Sequence, residues 1–131
     1  MSNKTSQPIL VVEDDEILRD ILVKSLEKEG WEVVSVISAE KALEVLENIK
    51  PKVIILDLIL PGIDGFEFLE KIKSNEETKE IPVFVLSNFG QKKDIEKAQT
   101  LGVEDYIIKA HINPLDFVEK LKNFLKREER Q

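Results

Sequence analysis

The sequence predicts an α/β fold: a parallel five-stranded sheet with helices on both faces. Five short β-branched runs alternate with five longer helical patterns, and a strict β-then-α alternation implies parallel strands joined by helical crossovers. The first, third and fourth runs are almost wholly apolar, as strands covered on both faces must be. The 131 residues suit one domain, and 42% hydrophobic with 34% charged residues is enough for a core and a soluble surface.

Ile9-Leu10-Val11-Val12 reads as the first strand. Ile17, Leu18, Ile21, Leu22 and Leu26 then recur at helical spacing, and Gly30 ends that helix. Trp31 to Ile37 forms the second strand. Ser38 caps a helix with Ala39, Ala42, Leu43, Leu46 and Ile49 on one face. Lys50-Pro51-Lys52 breaks the chain before the third strand, Val53-Ile54-Ile55-Leu56. Pro61, Gly62 and Gly65 mark a loop, and Phe66, Leu69 and Ile72 the next helix. Ile81 to Leu86 is the fourth strand, with Pro82 at its start, where a missing N–H is tolerated. Ile95, Ala98 and Leu101 give a sparser helix ending near Gly102. Tyr106-Ile107-Ile108 is the fifth strand. Asn113-Pro114 suits the cap and first position of a last helix carrying Leu115, Val118, Leu121 and Leu125. The crossovers are expected to be right-handed. One unit is expected over 1–131, with a flexible start at 1–7, a folded core at 8–126 and a fraying tail at 127–131. No linker, repeat or low-complexity stretch interrupts it.

The net charge of -7 argues against direct nucleic-acid binding, which needs a basic face. An acidic surface attracts cations or basic partners, and equally suits a merely solvated face. The chain has no cysteine, so disulfides, thiol catalysis and zinc–thiolate sites are excluded and a cytoplasmic location fits. The short polar start is not expected to be a signal peptide. The longest apolar run, Val53 to Leu60, is broken by Asp57 and too short to span a bilayer. The single histidine, His111, cannot build a histidine-rich metal site.

In sheets of this kind ligands bind beyond the carboxyl ends of the strands. Glu13, Asp14 and Asp15 follow the first strand, Asp57 the third, Ser87-Asn88 the fourth and Lys109 the fifth. Any one polar residue there is ordinary, because strands end in polar loops. Asp57 is different: it interrupts Val-Ile-Ile-Leu and Leu-Ile-Leu, where an unpaired carboxylate would be costly. Clustered carboxylates raise each other's pKa unless a cation joins them. Hard cations such as Mg²⁺ (or Mn²⁺) are held by a few carboxylates plus waters and phosphates. A carboxylate nucleophile, a hard metal and a lysine suit phosphoryl transfer to the carboxylate.

Four motifs, Val11-Val12-Glu13-Asp14-Asp15, Leu56-Asp57 through Asp64-Gly65, Pro82 to Ser87 and Tyr106-Ile107-Ile108-Lys109, resemble in order and spacing those of response-regulator receiver domains. The likeness runs from about Ile9 to Leu125. It implies a flavodoxin-like sheet in the order 2-1-3-4-5. It implies that Asp57 is the phosphoryl acceptor, that Asp14 binds the metal directly and Glu13 through water, and that the carbonyl of Ile59 completes the protein ligands. Ser87 and Lys109 would bind phosphoryl oxygens, and Tyr106 would turn inward when Ser87 moves. Its other reading is an ordinary strand tyrosine with a wet hydroxyl. Asp15 reads as the cap of the first helix. The implied partners are a sensor histidine kinase or phosphotransfer protein and a downstream protein target, with neither nucleic acid nor membrane bound, in a monomer or a phosphorylation-linked dimer. The readout surface would be the fourth helix, the fifth strand and the last helix. Met1 and the short tail favour a stand-alone receiver.

The sequence departs from that pattern at Ala110, where the family usually has proline after the lysine. Either a trans bond with a rearranged loop or a strained cis bond is expected, the latter costing roughly 3 kcal/mol. Ile59 and Phe89 are apolar where the family's residues influence water, so slow self-dephosphorylation is expected. Asn88 replaces a small residue and is expected to crowd or contact the pocket. His111 reads as a loop residue and Trp31 as packing. Three rival readings compete with this one. A haloacid-dehalogenase-like phosphatase would want an acid at Ile59, and a nucleotide-binding module would want a Gly-rich loop in place of Glu13-Asp14-Asp15. A degenerate receiver used only for contacts stays open because of Ala110.

Overall fold

The computed structural model describes residues 7–129. The expected flexible start therefore lies outside the described residues for 1–6, as does the expected fraying tail for 130–131. The five strands are β1 (Ile9–Val12), β2 (Val33–Val36), β3 (Val53–Leu56), β4 (Val83–Ser87) and β5 (Asp105–Ile108). The helices are α1 (Glu16–Lys28), α2 (Ala39–Leu46), α3 (Gly65–Lys73), α4 (Lys92–Thr100) and α5 (Pro114–Glu129). All strands pair in parallel in the order β2-β1-β3-β4-β5. The fold is the doubly wound α/β sheet that the alternation predicts.

The two-residue period of a strand explains the two cores. Ile9 and Val11 of β1 face one side, with Val53 and Ile55 of β3, and meet Leu22 and Leu26 of α1 and Phe117, Leu121 and Phe124 of α5. Leu10 and Val12 face the other side, with Ile54 and Leu56, and meet Ala39 and Ala42 of α2, Phe68 and Leu69 of α3 and Ala98 of α4. Central strands β1, β3 and β4 are therefore buried along their whole length.

Several boundaries differ from the sequence reading. The second strand is four residues, not Trp31 to Ile37, because as an edge strand it pairs only with the four residues of β1. Trp31 instead packs half-buried against the core beside α1. Helix α2 ends at Leu46, so Ile49 lies beyond it. The last helix starts at Pro114 as expected, but Leu115 is 66% exposed, and the buried positions are Phe117, Val118, Leu121, Phe124 and Leu125. The buried stripe is thus set by Phe117 and Phe124, one heptad apart, and Leu115 falls outside it. In α1, Ile17 is 75% exposed while Leu22 and Leu26 are fully buried. A short 3₁₀ turn, Lys109–His111, links β5 to α5.

Candidate functional site

Asp57 directly follows β3 at the carboxyl edge. Its main-chain N–H donates to the Val12 carbonyl at 3.0 Å, which extends the β1–β3 pairing to the acid itself. Its side chain is held at both oxygens. Oδ1 accepts from the Ile59 N–H at 3.0 Å, and Oδ2 accepts from Lys109 Nζ at 2.7 Å. Lys109 also donates to Glu13 Oε2 at 3.0 Å, so one ammonium bridges two carboxylates from β1 and β3. Asp57 is 4% exposed and Glu13 only 1%.

The Glu13 carboxylate accepts a second bond, from the Asp15 N–H at 3.0 Å. The Arg19 guanidinium donates to the Glu13 carbonyl at 3.1 Å. Burial pushes the Glu13 carboxyl above the usual glutamate range, and the Asp57 charge pushes the same way, against the Asp15 N–H and Lys109. Burial alone would lower the Lys109 pKa, but its bonds and charge attraction to Asp57 and Glu13 together hold it above its usual value. The ammonium is therefore kept charged where it is least solvated.

Asp14 is exposed, and carboxylate oxygens of Glu13, Asp14 and Asp57 lie within 4.8 Å of one another. Lys109 bonds Glu13 and Asp57, and Asp14 adds a third carboxylate to the cluster. The donors are all oxygen, with no nitrogen or sulfur ligand. That set fits a hard divalent cation that keeps part of its water shell. The acids can hold a metal ion.

Asp15 caps α1 as read from the sequence, accepting from the Leu18 N–H at 3.1 Å. Ser87 ends β4 fully buried, and its Oγ accepts from the Phe89 N–H at 3.3 Å. The Tyr106 hydroxyl donates to the Phe89 carbonyl at 2.6 Å. Burial first, then the charges of Asp94 and Asp57, push its pKa up to about 12. The Lys109–Ala110 bond is trans, as are all peptide bonds of the described residues, and the 3₁₀ turn begins at Lys109. Lys109 reaches Asp57 without the proline. Asn88 is exposed, His111 is exposed and outside the acid cluster, and Ile59 is 46% exposed.

Sequence reasoning missed three residues around the site. Arg19 secures the Glu13 backbone. Glu40 Oε2 accepts from the Ile63 N–H at 3.1 Å, tying the start of α2 to the loop after β3. The same loop needs glycine at 62, where φ is +73° and a Cβ would meet the Glu40 carboxylate. Phe66 stacks on Phe89. A charged residue in a first helical turn is too common to single out, and no local pattern pairs Phe66 with a residue 23 positions away.

The chain matches the family model for the response regulator receiver domain over residues 9–122. It belongs to that family. It is 33% identical over 119 residues to the phosphate regulon transcriptional regulatory protein PhoB of Pseudomonas aeruginosa, covering 91% of this chain and 52% of that protein. The PhoB of Rhizobium meliloti gives 32% over 119 residues, with the same coverage. The chain thus spans about half the length of these relatives. An uncharacterised 14.6 kDa protein of Leptolyngbya boryana is 31% identical over 95% of this chain and 94% of its own. Among solved structures, a CheY-like receiver domain protein from Methanospirillum hungatei superimposes with a TM-score of 0.85 at 28% identity, over 96% of this chain and 98% of that one. The Mn²⁺-bound form of response regulator Rcp1 gives a TM-score of 0.82 at 28% identity, over 91% and 94%. Among the described residues no helix is long and apolar enough to cross a membrane.

Proposed function

We propose that this receiver domain accepts a phosphoryl group on Asp57 and uses it to switch a protein-interaction surface. The observation that carries the reading is the buried Asp57 carboxylate bonded at 2.7 Å to Lys109 and clustered with Glu13 and Asp14. The donor is a phosphorylated histidine on a sensor kinase or phosphotransfer protein. An Asp57 oxygen attacks phosphorus, a P–O bond forms as the P–N bond breaks, and the leaving imidazole nitrogen keeps the electron pair. Glu13, Asp14, Asp57 and the Ile59 carbonyl would hold Mg²⁺ or Mn²⁺, which supplies neutralisation of charge on the phosphoryl oxygens. Lys109 then pairs with one phosphoryl oxygen and the Ser87 hydroxyl donates to another. The new bonds bias the loop after β4, and with it α4, β5 and α5, toward a target-binding arrangement. Residues 8–126 are the unit that does this, in the cytoplasm, without catalytic turnover of a separate substrate. Ile59 and Phe89 offer no side chain to orient water, so the phosphoryl group persists for minutes or longer.

Intact-protein mass spectrometry after incubation with acetyl phosphate tests the reading. The wild type is expected to gain one phosphoryl group only with Mg²⁺ present, and Asp57→Asn none. No gain under any condition would leave a contact-only receiver, and a gain that survives in Asp57→Asn would move the acceptor elsewhere. A half-life of seconds would overturn the slow dephosphorylation.

A further inference from the structure

Phe89, two residues beyond Ser87, touches residues of three elements, β4, β5 and α3. Its N–H donates to Ser87 Oγ at 3.3 Å, and its carbonyl accepts from the Tyr106 hydroxyl at 2.6 Å. Its ring lies nearly parallel to that of Phe66 at the start of α3, with centroids 6.5 Å apart and planes 13° apart. From α4, Lys97 Nζ sits 4.6 Å from the centroid of the same Phe66 ring. The loop after β4 is therefore held by two backbone bonds and one ring, and that ring is itself held by a cation.

The direction of the bonds matters. Ser87 Oγ already accepts from Phe89, so its hydrogen is free to be donated elsewhere. Ser87 is fully buried at the end of β4, next to the strand end that carries Asp57. If Phe89 moved, Ser87 would lose the contact that orients it and Tyr106 would lose its acceptor. Phe66 is half-buried at the edge of the second core, and Lys97 is exposed.

Building on the phosphoacceptor reading above, we propose that Phe66 and Lys97 are positioning residues for phosphoryl transfer. Lys97 steadies the Phe66 ring, Phe66 steadies the Phe89 ring, and the Phe89 backbone then presents the Ser87 hydroxyl to the phosphoryl group while keeping Tyr106 docked. An aromatic pair and a cation over a ring are modest interactions, so each accounts for no more than about a tenfold change in the aligned population.

The experiment compares wild type, Phe66→Ala, Lys97→Gln and Lys97→Arg. It reads the initial rate of labelling by acetyl phosphate at saturating Mg²⁺, and the ring resonances of Tyr106, the single tyrosine of the chain. Phe66→Ala and Lys97→Gln are expected to slow labelling about three- to tenfold and to shift the Tyr106 resonances. Lys97→Arg keeps a cation over the ring and is expected to retain both. Lys97→Gln alters an exposed side chain, so its thermal midpoint is expected to match wild type and separate positioning from folding. Wild-type rates in Phe66→Ala and Lys97→Gln would overturn the proposal. So would slowed labelling with unmoved Tyr106 resonances, because the effect would not then run through Phe89. If wild type itself is not labelled, the phosphoacceptor reading fails and this role falls with it.

Discussion

Lys109 stands between two carboxylates that are almost completely buried, and its removal exposes what that costs. Lys109→Ala leaves Glu13 and Asp57 facing each other without a counter-charge. Removing one partner of a buried charged cluster costs about 3 kcal/mol or more. Urea unfolding without divalent metal is expected to show that loss, and Lys109→Arg to recover part of it. Tyr106 gives a second residue-scale prediction, with its sign set by burial. Its folded pKa is pushed up to about 12 while the unfolded phenol titrates near 10. Between those values the native state binds the proton more tightly, so stability present below pH 10 is lost as pH rises toward 12. As the only tyrosine, it can be followed by near-ultraviolet absorbance. A midpoint near 10 in the folded chain would show the hydroxyl to be free. Asp57 was legible from sequence because an acid broke an apolar run. The bond from Lys109 to Glu13 was not, since it joins residues 96 positions apart.

Among the elements, α3 is placed by its first residue. A Cβ on Gly65 would lie 2.4 Å from the Leu58 Cα and 2.9 Å from the Asp57 carbonyl, both main-chain atoms that cannot turn aside. Gly65→Ala is expected to cost about 1–3 kcal/mol through forced backbone displacement. Because the displaced atoms adjoin the proposed acceptor Asp57, labelling by acetyl phosphate should fall along with the melting temperature. Unchanged melting would show that the helix start slides freely. In α5 the sequence reading and the structure part ways. Phe117 is fully buried and touches Phe84 edge-on, with centroids 6.4 Å apart, whereas Leu115 points outward. Phe117→Ala is expected to cost about 3–5 kcal/mol and Leu115→Ala less than about 0.5 kcal/mol in denaturant unfolding. The helix itself was readable from Asn113-Pro114. Its rotation was not, because a run containing Leu115, Phe117, Val118, Leu121, Phe124 and Leu125 offers more than one apolar stripe.

At the scale of the whole molecule, the sheet gathers like charges that repel in the metal-free chain, so a divalent cation should stabilise the fold it completes. Mg²⁺ at about 100-fold above its Kd is expected to add about 2.7 kcal/mol. The gain should shrink sharply in Asp14→Asn, which removes one exposed carboxylate charge while leaving both cores intact. An Mg²⁺-independent melting temperature in the wild type would rule out metal binding at this cluster. By itself the sequence determined the five-fold β–α alternation, the apolar central strands, the caps Asp15 and Ser38, and the chemical types that end each strand. These are local properties, fixed by side-chain period and by backbone groups that must be satisfied within a few residues. Only the tertiary structure decided which face each helix turns inward, where β2 stops, and how Lys109 divides itself between Glu13 and Asp57. It alone placed Phe66, Phe89, Lys97 and Tyr106 around the loop after β4. Those outcomes depend on contacts between distant segments, and such contacts exist only once the sheet has brought its carboxyl ends to a single edge.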